Sequence, residues 1–418
     1  MTLHSRLLPP MPVAEDYRAH VAGFGPLPGG GPALIAELDR AGLTGHGGAG
    51  FPAAVKWRAV AARSKPGSRA VVVGDGAETE PASFKDRTLL ALRPHLVLDG
   101  LQLAARTVDA DRAVLYLSRA NDSLGRTVAA ALAERRGADT VPVEVATAPP
   151  RYVAGEETAL VSRLSGRPAR PRTVPPRPYD DGVDGRPTLV NNVETLAHSA
   201  LIARRGAAWF RAAGTPEAPG TVLVSVSGAV GVAGVYEVGY DATVGGIVEL
   251  AGGALGTPSA VLIGGYFGRW CAAGRAWPVT IEPRSLRRIG LSLGAGVIAV
   301  LPAGRCGVAE SDRVLAFLAR ESAGQCGPCH VGLPALAATF HAVAQGDERP
   351  AALDRLARWV LEIRGRGACR HPDGATLFAA SALEVFADEL RRHLRLGPCA
   401  ASSAAPLMPT PVLAPGWR

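Results

Sequence analysis

The chain has 418 residues, 47% of them hydrophobic and 20% charged, the composition of a globular protein with room for two or three domains. Its 45 Lys and Arg against 37 Asp and Glu leave a net charge of +8, spread along the sequence with no basic block interleaved with aromatics. A nucleic-acid partner is therefore not expected, whereas a basic surface would steer an acidic protein partner.

No charged segment followed by an apolar one opens the chain, so no secretory signal is expected. The longest greasy stretches, such as 289–302, are broken by glycine and fall short of the roughly 20 residues needed to span a bilayer. The expectation is a cytoplasmic protein without a membrane span, held at a membrane only through a partner. Six cysteines, Cys271, Cys306, Cys326, Cys329, Cys369 and Cys399, are too sparse for a disulfide scaffold and suit a reducing compartment. Only three lysines occur, and two of them, Lys56 and Lys85, stand inside motif-like stretches.

Residues 1–41 form an N-terminal extension rich in Pro and Gly, with one helical pattern at 32–41. Next comes Gly45-His46-Gly47-Gly48-Ala49-Gly50-Phe51-Pro52, followed by Lys56 and Trp57. Backbone without Cβ atoms can lie flush against a flat ring or a phosphate, and the proline suits the first turn of a helix whose free N–H groups favour an anion. The stretch reads as a seat for a planar, phosphorylated cofactor, although a plain glycine turn before a surface helix has the same composition. Residues 70–73 read as a buried strand that empties into the acidic loop 74–81. A helix over 89–107, a strand at 113–117, N-caps at Asn121, Asp122 and Ser123 for a helix to about Arg136, and a strand at 141–146 follow. This alternation predicts an α/β unit with a mostly parallel sheet, where ligands sit beyond the carboxyl ends of the strands. The third strand leads to Gly155-Glu156-Glu157-Thr158, where paired acids also suit a helix start. A Pro- and Arg-rich connector, 167–178, precedes Asn191-Asn192-Val193-Glu194-Thr195, whose amides suit a heterocycle edge or a helix cap.

Taken in order, the glycine loop, the acidic loop running to Phe84-Lys85-Asp86-Arg87, the Gly155-Glu156-Glu157 stretch and the Asn191-Asn192 stretch resemble the NADH-binding flavoprotein subunit of respiratory complex I. Its family includes the matching subunits of NAD-linked hydrogenases and formate dehydrogenases. The resemblance runs from about Gly42 to about Leu396. It implies a Rossmann-like FMN- and NAD(P)H-binding domain at 42–215, with Gly45, Gly47, Gly48 and Lys56 cradling FMN. Asn191, Asn192 and Thr195 would hold its other side, and Asp75 and Glu78 would contact it from the acidic loop. Gly155, Glu156 and Glu157 would lie beside the isoalloxazine and nicotinamide, and Phe51 and Glu80 would face the dinucleotide. Glu80 and Glu157 are the implied catalytic acids. Two stretches depart from the family pattern. The acidic loop carries Asp75 and Ala77 in place of an asparagine and an aspartate, and Arg177 replaces a phenylalanine that stacks on adenine. Arginine can stack on a purine or meet a 2′-phosphate, so NADPH stays open beside NADH.

From Thr221 the pattern changes to short strands at 222–228, 234–238 and 260–264 with a short helix starting at Ile247. It resembles the ubiquitin-like, soluble-ligand-binding β-rich domain of the family, here 220–302. The turn Gly264-Gly265-Tyr266 carries no assigned chemistry. A helical domain, 305–397, follows and holds Cys326-Gly327-Pro328-Cys329-His330 and Cys369. A redox dithiol or a zinc site has similar spacing, but helical surroundings favour iron–sulfur ligation. The family has a further cysteine where Ala323 stands, so Cys326, Cys329 and Cys369 are the three implied ligands, with His330 and His371 the nearest substitutes for the fourth. The last helix is expected over 381–394, opened by a Ser381/Glu384 capping box, and the Ala/Ser/Pro-rich tail 398–418 is expected to be disordered.

The function expected is oxidation of NADH or NADPH through FMN to an iron–sulfur centre, with electrons passing to an iron–sulfur or membrane redox protein. The alternative is a non-catalytic scaffold subunit that has kept the shape and lost the chemistry. A third reading makes the ubiquitin-like unit a ligand- or partner-binding module.

Overall fold

The computed structural model describes residues 4–119, 122–413 and 416–417. Its first sheet is fully parallel, in the order β3-β2-β1-β4, from β1 (Ala70–Gly76), β2 (Ala110–Ser118), β3 (Val143–Ala148) and β4 (Thr188–Asn192). The central strand β1 is Val-rich and buried along nearly its whole length, as expected of a parallel strand covered on both faces. Helices Pro94–Thr107 and Val193–Arg211 pack together so closely that a Cβ on Gly100 would come within 2.0 Å of the Leu196 carbonyl oxygen. The register sets Asp75 beside Asn192 and Gly74 beside Asn191, which gathers both motif loops at the carboxyl edge of β1 and β4.

The second sheet is mixed, in the order β6-β5-β9-β7-β8, built from β5 (Thr221–Gly228), β6 (Gly234–Gly239), β7 (Pro258–Ile263), β8 (Arg269–Ala272) and β9 (Val297–Pro302). Val244, Ile247 and Val248 of the helix Val244–Leu250 share its core with Val224, Val261 and Val300. Five further helices, Gly307–Arg320, Leu333–Gln345, Ala351–Ile363, His371–Val385 and Ala387–Leu396, make the C-terminal bundle. Its core reaches back to Tyr152, Tyr266 and Trp270. The expected class, a Rossmann-like α/β unit followed by a β-rich sheet and a helical bundle, is the one observed. No helix among the described residues is long and apolar enough to cross a membrane.

Three local expectations are corrected. The helix expected over 89–107 is two, Lys85–Leu92 and Pro94–Thr107, because Pro94 lacks an N–H and drives Arg93 out of helical geometry (φ −136°, ψ 55°). Ser381 caps no helix start. It lies inside His371–Val385, donates to the Phe378 carbonyl and accepts from the Trp270 N–H, and the chain breaks instead at Phe386. The tail is not disordered where it is described. Met408 is fully buried, the N–H groups of Leu407 and Met408 donate to Glu310, and the Trp417 ring lies 4.8 Å from the Arg151 guanidinium and 5.2 Å from that of Arg170. Its low-complexity composition hid a few well-spaced apolar anchors. Of the expected N-caps after β2, Asn121 lies outside the described residues.

Candidate functional site

The glycine loop is pinched at its base, where the Gly45 N–H donates to the Phe51 carbonyl (2.8 Å) and the Ala53 N–H to that of Leu43 (2.9 Å). Thr195 anchors it from below by accepting the His46 N–H (2.9 Å). Gly48 takes φ +100°, a conformation that a side-chain-bearing residue rarely adopts. Residues 47–52 are exposed, and a Cβ added at Gly47 would meet only Asn192, at 3.5 Å. The crest of the loop is therefore open, not sealed by hydrocarbon.

The helix Ala53–Ala61 leaves this loop and carries Lys56, whose Nζ donates to Glu157 Oε2 and to the Val190 carbonyl, both at 2.9 Å. Lys56 and Glu157 are partly exposed and act as one pair, joining the glycine loop to the Gly155-Glu156-Glu157 turn. On the next residue, the buried Trp57, the indole N–H donates to Asn191 Oδ1 (2.8 Å).

Several implied contacts turn out to hold the scaffold. Asn192 caps the helix Val193–Arg211 through the Glu194 N–H, and its amide donates to Asp86 (2.7 Å). Lys85 donates to Asn192 (3.1 Å) and pairs with Asp86 and Glu194 at 2.7 and 2.8 Å in a buried cluster. Glu156 caps the helix Glu157–Leu164 through the N–H groups of Thr158 and Ala159. Glu78 accepts from Ser83 and from the N–H groups of Asp86 and Arg87. Gly155 sits against the acidic loop, where an added Cβ would meet Thr79 Oγ1 at 3.2 Å and the Ala77 methyl at 3.8 Å. Ala77 itself is fully buried among apolar neighbours. Burial pushes the Asp75 carboxyl up to about 7, so near neutrality it can stand protonated and donate, as an asparagine amide would. Phe51 is 48% exposed beside the open loop, and Arg177 is exposed on its connector.

Beyond the carboxyl ends of β1 and β2 lies a cleft of about 650 Å³. Glu78, Thr79 and Glu80 form one wall, and the tail, from Pro406 to Pro411, forms the other. Glu80 accepts from Tyr152 Oη (2.8 Å), the Tyr266 N–H (2.8 Å) and the Ala82 N–H (3.2 Å). Burial raises its carboxyl to about 7 against those three hydrogen bonds, and nearby Glu78 adds to the rise. Tyr266 thus has a part that the sequence did not suggest. Only a long-range pairing creates it, and no local pattern signals that.

Cys326, Cys329 and Cys369 converge where the bundle meets the Glu156 turn. Burial raises the Cys369 thiol to about 12, with Glu156, Cys329 and Cys326 close enough to add to the rise, and Cys326 lies in hydrogen-bond range of Cys329. Ala323 is buried in the bundle core. His330 is exposed, and its ring lies 3.9 Å from where a Cβ on Gly324 would be, next to position 323. His371 is buried with Nε2 2.8 Å from the Leu318 carbonyl oxygen, and burial lowers it to about 4.

Residues 38–200 match the Nuo51 FMN-binding domain family, and residues 309–393 match the iron–sulfur binding region of NADH-ubiquinone oxidoreductase F. The chain is 32% identical over 381 residues to an F-type subunit of NADH-quinone oxidoreductase from Rhizobium meliloti, covering 88% of this chain and 90% of that protein. It is 30% identical to the F-type subunit of the same enzyme from Streptomyces coelicolor, covering 86% and 83%. Among solved structures it superposes on a chain of the NAD+-reducing [NiFe]-hydrogenase in the air-oxidized state with a TM-score of 0.82 and 36% identity. That match covers 88% of this chain but only 65% of the hydrogenase chain.

Proposed function

The chain belongs to the family of F-type subunits of NADH-quinone oxidoreductase, and from that premise we propose that its open glycine loop and the carboxyl edge of β1 and β4 seat FMN, with NADH or NADPH entering over Phe51. The protein is a flavoprotein subunit of the NADH dehydrogenase type, with an FMN-binding and an iron–sulfur region. When bound, FMN supplies the step from two-electron hydride acceptance to single-electron release into an iron–sulfur centre.

The single observation that carries the assignment is the exposed, Cβ-free crest at Gly47 and Gly48, backed by an ammonium that is itself held in place. Lys56 would counter the FMN phosphate, its position fixed by Glu157 and the Val190 carbonyl. Asp75, in its protonated form, would donate toward the ring where the family has an asparagine. Glu80 would hold or release a proton near pH 7 at the cleft wall, shared with Tyr152. Cys326, Cys329 and Cys369 would hold the cluster, and His330, exposed beside position 323, is the better placed of the two histidines for the fourth position. The partner that receives the electrons is proposed to be an iron–sulfur or membrane redox protein, to which this chain binds peripherally.

The scaffold alternative draws on Ala77 and Ala323, both buried where the family has a polar or ligating side chain. Steady-state oxidation of NADH and NADPH by FMN-loaded protein, with ferricyanide as one-electron acceptor, separates the two. Turnover that is lost in Gly48→Val supports the enzyme, and absence of turnover with bound FMN supports the scaffold.

A further inference from the structure

Two cysteines lie far from the cluster motif, and the fold brings them together. Cys306 precedes the helix Gly307–Arg320 as its N-cap, with its sulfur accepting the Ala309 N–H (3.2 Å). Cys399 stands just before the short helix Ala400–Ser403, where the tail begins. Glu389 and His393 are four residues apart on Ala387–Leu396, and so share one face. The ligand atoms of these four residues all lie within 4.8 Å of one another.

We propose that Cys306, Glu389, His393 and Cys399 form a structural zinc site that fastens the tail to the helical bundle. The donor set is two thiols, one imidazole and one carboxylate, which suits zinc and not magnesium or calcium. A tetrahedral zinc with Zn–S bonds of about 2.3 Å sets its sulfurs about 3.8 Å apart, so the observed spacing needs to tighten by about 1 Å or less. The imidazole is already oriented. His393 Nδ1 lies 2.8 Å from the Ala344 carbonyl oxygen, which can only accept, so the proton sits on Nδ1. That leaves the Nε2 lone pair facing the pair of thiols, 3.7 Å from Cys306 Sγ, with the Cys399 N–H at 3.4 Å. Ser402 Oγ lies 3.4 Å from each sulfur and, with its one proton, would donate to one thiolate at a time.

Binding Zn2+ releases the two thiol protons to solvent and changes no oxidation state. Four protein ligands leave no open position, so the site holds structure and performs no chemistry. Its consequence is mechanical, since Cys399 heads the segment whose Met408 is buried and whose residues 406–411 wall the cleft beside Glu80. The site depends neither on FMN nor on Cys326, Cys329 and Cys369.

The test is metal content of the full chain, purified without chelator and incubated with Zn2+, by plasma mass spectrometry. About one zinc per chain is expected, falling at least fivefold in Cys399→Ser and in His393→Gln. Retention of that zinc is expected in the triple variant Cys326→Ser/Cys329→Ser/Cys369→Ser. Because Cys399 is at the head of the tail, its variant keeps the bundle folded, and Co2+ loading gives a second reading: thiolate-to-cobalt charge-transfer absorption in the wild type, lost in Cys399→Ser. Zinc that is unchanged in Cys399→Ser, zinc that follows the cluster cysteines, no retained zinc at all, or a Cys306–Cys399 disulfide in non-reducing peptide maps would each overturn the proposal.

Discussion

Glu80→Gln tests whether the cleft wall holds a proton near neutrality. In the unfolded chain this carboxyl titrates at its ordinary value of 4.5, and in the folded protein at about 7. Between those values the folded state keeps a proton that the unfolded state has given up. Stability from this group therefore declines as pH rises, the loss beginning above the unfolded value and complete by about pH 8. At about 1.4 kcal/mol per pH unit, the shift amounts to about 3 kcal/mol. Glutamine keeps an oxygen for Tyr152 and the Tyr266 N–H and has nothing to ionise, so the variant lacks this slope. Calorimetric unfolding of both proteins at pH 5 and pH 8 reads the difference, because other titrating groups are common to both. The wild type should lose about 2.5 kcal/mol more than Glu80→Gln across that interval, because part of the shift is already lost at pH 5. Equal losses in the two proteins would refute the burial argument for Glu80.

Three further outcomes follow from the site. Gly48→Val should weaken FMN binding at least tenfold, because φ +100° strains a β-branched residue by roughly 1–2 kcal/mol and the side chain fills the crest; titration of FMN fluorescence quenching measures it. Lys56→Met removes a charge-assisted contact of roughly 1.5–3 kcal/mol, so FMN affinity should fall ten- to a hundredfold and lose much of its salt dependence. Ala323→Cys should raise bound iron per chain after anaerobic reconstitution, as read by iron analysis and electron paramagnetic resonance, because it supplies a thiol three residues before Cys326, where the resembled family has its further cysteine.

Local patterns carried much of the fold and less of the site. The Val-rich run at 70–73 and the strands at 113–117 and 141–146 were legible because parallel strands are short, apolar and separated by helices. The Glu156 and Asn192 caps were legible too, but only as one of two readings, since a helix start and a cofactor contact ask for the same residue types. What stayed hidden depends on residues far apart in the chain. Tyr266 meets Glu80 across 186 positions, and Glu310 holds the backbone of Leu407 and Met408. Cys306 and Cys399 carried no role in the sequence because their meeting depends on how the last helix and tail fold back. The order of the tail is hidden for the same reason: composition describes what a segment lacks, whereas Met408 and Trp417 act through where they land.

The most direct check on the flavin seat is the absorbance spectrum of the protein purified without air and reconstituted with FMN, iron and sulfide. Flavin bands with a broad brown shoulder, the flavin component lost in Gly48→Val, are the result expected of this site. A protein that stays colourless after reconstitution, or one whose flavin is retained unchanged in Gly48→Val, would contradict the assignment of the glycine loop.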